Sequence, residues 1–285
     1  MRLHSPRFPL RTVLARVALL ALLVSPSPAI PAELPSIDTP LKTGLSNKGD
    51  AAVVIGVEKY VYLPAAPYAE RDADAMYTFL QYTRGVPTER IARLKSGATK
   101  QRILDAVREA GESVGPGGTV WIYFAGHGSA SPTTRGRLLL PEMTPPNADD
   151  FDDMGVPVES VQTLAGAGGG DVMLITDACF TGAGREGGLL DSGGRSFVPG
   201  KAKASGKVAQ WDAAQENQVA RPLETVQHGA FTYFAIGAMR GWADGQLTGT
   251  RDGTVTTEEA HVYVESALEG RKPLPCREPM QISMR

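Results

Sequence analysis

Two stretches decide how this chain folds. Thr119-Val-Trp-Ile-Tyr-Phe-Ala125 runs directly into Gly126-His127-Gly128-Ser129, and Asp171-Val-Met-Leu-Ile-Thr-Asp177 runs into Ala178-Cys179-Phe180-Thr181-Gly182. Both are continuous apolar runs, not alternating ones, the pattern of a strand buried on both faces of a parallel sheet. Ala51-Ala-Val-Val-Ile-Gly-Val57 is a third run of the same kind. Segments of helical spacing lie between them. Tyr68 to Tyr82 places Ala69, Ala73, Met76, Phe79 and Leu80 on one face, and Thr99 caps a helix carrying Ile103, Leu104, Val107 and Ala110. Weaker signals give strands at Ile91 to Leu94, Arg137 to Leu140 and Lys207 to Trp211. They give helices at Val158 to Leu164, Phe231 to Met239 and Thr257 to Leu268. Alternating strands and helices imply an α/β domain with a mostly parallel sheet covered on both faces.

Ligands and chemistry in such sheets gather where the strands end. His127 and Cys179, 52 residues apart, each stand just past a strong buried strand. If the two strands are neighbours, their side chains meet at one edge of the sheet. A thiolate is the reactive form of cysteine, and a nearby imidazole takes its proton or supplies the partner charge. The glycines around His127 let backbone approach a ligand, and a turn past a strand aims N–H groups at a developing oxyanion. A lone cysteine or histidine is commonly structural, so the weight rests on their joint placement.

Composition bounds the alternatives. The chain has 285 residues with 29 Lys+Arg against 31 Asp+Glu, a charge of −2 that lacks the basic excess of a nucleic-acid binder. Two cysteines build neither a disulfide scaffold nor a four-Cys zinc site. Residues 1–32 carry Arg2, Arg7, Arg11 and Arg16, then the apolar run Val17 to Val24, then small residues ending at Ala29 and Ala32. This describes a secretory signal peptide, too short to span a bilayer. The alternative is an uncleaved anchor. Without this leader the charge is −6. The expected organisation is a linker over 33–50, one domain over 51–270 and a tail over 271–285, secreted or periplasmic, with no membrane contact once the leader is removed.

Here the residues resemble a family. Tyr123-Phe-Ala-Gly-His-Gly128 and Asp177-Ala-Cys-Phe-Thr-Gly182 look like the His and Cys motifs of caspase-like cysteine peptidases, in the bacterial caspase-domain and metacaspase branch. Ala52-Val-Val-Ile-Gly56 with Ala69-Glu-Arg-Asp-Ala73, Gln227-His-Gly-Ala-Phe-Thr-Tyr-Phe234 and Asp252-Gly-Thr-Val-Thr-Thr-Glu-Glu259 resemble further parts of that domain. The resemblance implies a three-layer sandwich and a cysteine endopeptidase acting on proteins or peptides. Cys179 would be the nucleophile, His127 the proton carrier, and the N–H groups of Gly128 and Cys179 the oxyanion hole, with no cofactor needed for the chemistry. It also implies that Asp177 and Asp72 select Arg or Lys in the substrate. For Asp177 a second reading stands, a carboxylate bonded to neighbouring backbone, and for Asp72 a solvated residue of a first helical turn. Phe180 departs from the His usual in metacaspases, and Ala125 from the Ser that often precedes Gly-His-Gly. A catalytically silent module that binds peptides or partners is the competing function.

Other signals need placing. Gly182-Ala-Gly-Arg-Glu-Gly187 matches G-x-G-x-x-G, but the glycines and proline that follow leave no helix for a dinucleotide. Arg185, Arg195, Lys201 and Lys203 in that loop are candidate self-processing sites. Asp149, Asp150, Asp152 and Asp153 form an acidic run expected in a loop. It offers oxygen ligands for calcium as an activator, or is simply solvated. His228 is either a rival general base or, standing just before a predicted helix, a structural residue; His261 is a surface or packing residue of a helix, and Cys276 a potential disulfide partner of Cys179. The oligomeric state is not legible.

Overall fold

A computed structural model describes residues 34–181, 183–184, 187–188, 207–213, 222–269 and 283–284. In chain order the elements are β1 (Ala51–Gly56), α1 (Ala69–Thr78), β2 (Ile91–Leu94), α2 (Lys100–Ser113), β3 (Thr119–Ala125), β4 (Gly128–Ala130) and β5 (Arg137–Leu139). Then follow α3 (Ala148–Met154), β6 (Val156–Pro157), α4 (Val158–Ala165), β7 (Asp171–Asp177), β8 (Ala183–Gly184), β9 (Gly187–Gly188) and β10 (Val208–Asp212). Last come β11 (Pro222–Leu223), β12 (His228–Gly229), α5 (Ala230–Gly237), β13 (Thr254–Val255), α6 (Thr257–Leu268) and β14 (Ser283–Met284). The central sheet has the order β10-β7-β3-β1-β2, and every pairing in it is parallel.

The three strong apolar runs are the three central strands, as double-sided burial requires. Successive side chains point to opposite faces, and the core divides accordingly. Ala52, Val54, Trp121, Tyr123, Met173 and Ile175 pack under Met76, Leu80, Tyr233, Trp242 and Tyr263 of the α1, α5 and α6 side. Val53, Ile55, Val120, Ile122, Val172 and Leu174 pack against Ile103, Val107, Val158 and Val161 of α2 and α4. The result is a three-layer α/β/α sandwich. Asp50 ties its strands together at the other end, accepting from the Thr119 N–H at 2.9 Å and the Trp121 indole at 3.2 Å.

Local chemistry sets the helix ends. The Thr99 hydroxyl accepts from the Arg102 N–H at 3.3 Å and opens α2. Thr256 and Glu259 form a reciprocal capping box at α6, which removes two orphan donors at once. Gly111 lets α2 meet α4, because a Cβ there would stand 2.0 Å from the Leu164 carbonyl oxygen.

Two loops of the sequence reading are different in the structure. The acidic run 149–153, expected as a loop, is helix α3. Asn147 caps it from the Asp149 N–H at 3.3 Å, and Phe151 is fully buried beneath it with Leu63, Leu138 and Leu140. One buried aromatic among four acids gives too little periodicity to reveal a seven-residue helix. In the G-x-G-x-x-G stretch, Ala183–Gly184 pairs antiparallel with Gly187–Gly188, which is not the helix a dinucleotide site needs. Residues 34–50, expected as a linker, have no regular element but are bonded to the domain. The Tyr233 hydroxyl donates to the Pro35 carbonyl at 2.8 Å, and Ile37 is buried. The leader 1–32, most of the self-processing loop and Cys276 lie outside the described residues. Among the described residues no helix is long and apolar enough to cross a membrane.

Candidate active site

The strands that carry the two motifs are neighbours. β3 pairs with β7 along its whole length, ending at Ala125 opposite Asp177. His127 and Cys179 therefore each stand two residues beyond a paired position. The Gly126 N–H donates to the Asp177 carbonyl at 3.3 Å and carries the pairing one step further. Gly128 lies flat against the cysteine turn. A Cβ on it would be 2.9 Å from the Phe180 ring and 3.1 Å from the Cys179 carbonyl oxygen. The N–H groups of Gly128 and Cys179 thus belong to segments in contact. Cys179 and His127 are both buried, 4% and 2% exposed.

The loop after β1 holds the histidine. The His127 Nε2 lies 2.7 Å from the Pro64 carbonyl oxygen. A carbonyl only accepts, so Nε2 carries the proton, and in the neutral ring Nδ1 is left as the basic nitrogen. The Tyr60 ring lies 4.5 Å from the imidazole at an angle of 38°. Its hydroxyl takes the His127 backbone N–H at 2.7 Å. Leu63, between Tyr60 and Pro64, anchors the loop in the small cluster above α3. Neither Tyr60 nor Pro64 was legible as a site residue. One acts through a hydroxyl and a ring face and the other through its backbone, in a segment whose sequence shows no motif.

Asp177 and Asp72 are both fully buried on the α1 and α5 side. Asp177 accepts from the Thr232 hydroxyl at 2.6 Å, and that hydroxyl also meets the Tyr123 hydroxyl at 2.6 Å. Asp72 accepts from the Gly229 N–H at 3.0 Å and meets the Nδ1 of His228 at 2.8 Å. The two acids thus grip either end of one short segment, residues 228–232, at the start of α5. Asp72 is not solvated. His228, the rival base, is 1% exposed, with its Nε2 3.1 Å from Asp38. Asp38 also receives Arg71 at 2.6 Å. Burial would raise its carboxyl, but the Arg71 hydrogen bond, with the charges of His228 and Arg71, holds it below the usual value. His261 is exposed on α6.

Behind Cys179, the Arg137 guanidinium lies 5.3 Å over the Phe180 ring and pairs with Asp212 at the end of β10. Asp212 also accepts from the Thr176 hydroxyl at 2.6 Å. These contacts join β5, the cysteine turn and β10, three segments far apart in sequence. A partly open cavity of about 240 Å³ lies beside β10, lined by Trp211, Phe231, Val264, His261 and Glu265. The acids of α3 do not converge. They are distributed around a helix, and Asp152 is engaged by Thr133 at 2.6 Å. Among the described residues no group of three His, Cys, Asp or Glu side chains is placed to hold a metal ion. The run does not fit a calcium cage, and no step is assigned to one.

A parallel sheet that brings a Gly-His-Gly turn and a cysteine turn to adjacent carboxyl ends, helices covering both faces, is the architecture of a thiol peptidase domain. The caspase domain model matches residues 50–281, and the chain belongs to that family. Among solved structures it is similar to a protein from Geobacter sulfurreducens at 18% identity and a TM-score of 0.38, covering 46% of this chain and 50% of that one. The chain thus spans about half the length of that protein. It is also similar to caspase-1 from Spodoptera frugiperda (9% identity, TM-score 0.46, 72% and 77% covered) and to pro-sf-caspase-1 (13%, 0.45, 85% and 92%). No curated protein matches the chain.

Proposed function

We propose that this chain is a cysteine endopeptidase of the metacaspase branch, with Cys179 as nucleophile and His127 as proton carrier. The observation that carries the reading is the β3–β7 pairing. It delivers both residues to one sheet edge, with Gly128 packed on the Cys179 turn and Nε2 of His127 tied to Pro64. In this reading Nδ1 takes the thiol proton, and sulfur attacks the substrate carbonyl carbon. The N–H groups of Gly128 and Cys179 receive the oxyanion. Collapse breaks the C–N bond, the imidazolium protonates the leaving amine, and a thioester remains. Water, deprotonated by His127, releases the acid and restores the thiol. Proton transfer by a positioned imidazole contributes about 10²–10⁴-fold, and each oxyanion donor about 10²–10³-fold.

Cleavage after Arg or Lys follows from the acids. Two fully buried carboxylates, Asp72 and Asp177, flank the start of α5 on the cysteine's side of the sheet, and negative charge there favours a cationic side chain. Arg185, Arg195, Lys201 and Lys203 then make the loop after the nucleophile a substrate for the enzyme itself. The leader over 1–32 would direct the domain out of the cytoplasm.

A silent caspase-like binding module is the reading to defeat, since both His127 and Cys179 are almost wholly covered. A thiol-directed peptidyl probe ending in Arg separates the two, applied with and without calcium. Labelling at Cys179 that vanishes in His127→Ala supports the enzyme. Labelling by an Asp probe alone removes the Arg/Lys preference. No labelling by either probe in any condition supports the silent module.

A further inference from the structure

We propose that the Tyr60 hydroxyl is a positioning group for His127, a spacer built into the strand pair that carries the imidazole. The inference rests on His127 being the proton carrier of the preceding section. The β4–β5 register sets Gly128 opposite Leu139, which places His127 opposite Leu140. An antiparallel pair of this kind normally exchanges two direct backbone bonds. One is present, from the Leu140 N–H to the His127 carbonyl at 3.0 Å. The other half runs through Tyr60. The His127 N–H donates to its hydroxyl at 2.7 Å, and the hydroxyl donates to the Leu140 carbonyl at 3.0 Å.

The hydroxyl thus props the ladder open at the residue that carries the imidazole. The neighbouring residue makes room for it, since a Cβ at position 126 would stand 2.7 Å from the Tyr60 oxygen, and that position is glycine. Four residues further on, the same loop presents the Pro64 carbonyl to Nε2. One loop therefore fixes His127 at its backbone, at its ring face and at one ring nitrogen. The loop itself is held by the Val61 N–H, which donates to the Glu142 carbonyl at 3.1 Å, and by buried Leu63. Phenylalanine at position 60 would keep the ring and delete both bridging bonds. The His127 N–H and the Leu140 carbonyl would then be left unbonded or drawn together, and closure would carry the ring away from Pro64.

The test is Tyr60→Phe beside Tyr62→Phe, a change at the exposed tyrosine two residues on. Misplacement of a catalytic group by a fraction of an ångström to 1 Å costs up to about 100-fold. We expect Tyr60→Phe to lower kcat roughly 10- to 100-fold, with KM within about twofold and a melting temperature lowered by only a few degrees. Alkylation of Cys179 by iodoacetamide at neutral pH should slow in parallel, while Tyr62→Phe matches the wild type. Unchanged kcat and alkylation in Tyr60→Phe would overturn the proposal, as would losses that disappear when both proteins are assayed well below their melting transitions. Alkylation measures the Cys–His pair without any peptide. If the wild type cleaves no peptide but its alkylation depends on His127 and slows in Tyr60→Phe, the peptidase reading fails and this one stands. Should Tyr60→Phe not fold, a ring-fluorinated tyrosine at position 60 keeps the fold and makes the hydroxyl more acidic. It must then change the pH profile of alkylation, and an unaltered profile overturns the proposal.

Discussion

The two buried histidines of this domain are held by opposite kinds of partner. His127 is gripped by neutral groups, the Pro64 carbonyl at one ring nitrogen and the Tyr60 ring and hydroxyl beside it. His228 stands between two carboxylates, Asp72 at Nδ1 and Asp38 at Nε2. A carbonyl fixes the ring but supplies no charge. Two carboxylates engage both nitrogens as acceptors, so neither is available to a nucleophile. The same side chain is thus held by uncharged groups in one place and cross-links two acids in the other. His228 fastens α1, the start of α5 and the segment around Asp38.

Four measurements break or sharpen that contrast. The largest effect belongs to His127→Ala, which should lower kcat/KM by about 10²–10⁴-fold with an almost unchanged urea midpoint. His228→Ala should do the reverse, destabilising the fold by about 1–3 kcal/mol as Asp72 loses its buried partner. If urea melts show no shift there while activity collapses, the two roles are assigned the wrong way round. Gly128→Ala places a methyl 2.9 Å from the Phe180 ring and 3.1 Å from the Cys179 carbonyl oxygen. It should cost about 1–3 kcal/mol of overpacking strain and lower activity beyond that loss. Full activity with normal stability would mean that the two turns are not rigidly packed.

The smallest effect is a pH dependence at Asp38. Its carboxyl is below its ordinary value of 3.8 in the folded chain. A lowered acid stabilises the fold above its unfolded value, and that contribution is lost as the pH falls through the folded value. Asp38→Asn should therefore be less stable than the wild type at about pH 6 and converge with it near pH 2. A stability gap that persists at low pH would show that the Asp38 contacts to Arg71 and His228 are not ionic.

Much of this was legible residue by residue. The central strands announced themselves because burial on both faces demands unbroken apolar runs. Thr99 marked a helix start because capping is a local bond. Helix α3 was hidden, since among its described side chains only Phe151 is buried, and its acids gave no stripe. Asp72 was legible as an acid of interest, but its partners, His228 and Gly229, lie 156 and 157 residues away. The bonds that restrain His127 were also invisible, because a backbone carbonyl in a Tyr-Val-Tyr-Leu-Pro segment leaves no mark in side-chain chemistry.

The sequence by itself determined the layering, the parallel strands and the presence of one histidine and one cysteine just past two of them. These follow from hydrophobic period and from the position of glycine, both of which are local. Only the tertiary structure decided that β3 and β7 are neighbours, that Pro64 fixes the tautomer of His127, and that His228 is locked between acids. Those facts depend on which distant segments come to share an edge of the sheet. Hydrogen-bond geometry, unlike burial, has no period to leave in the chain.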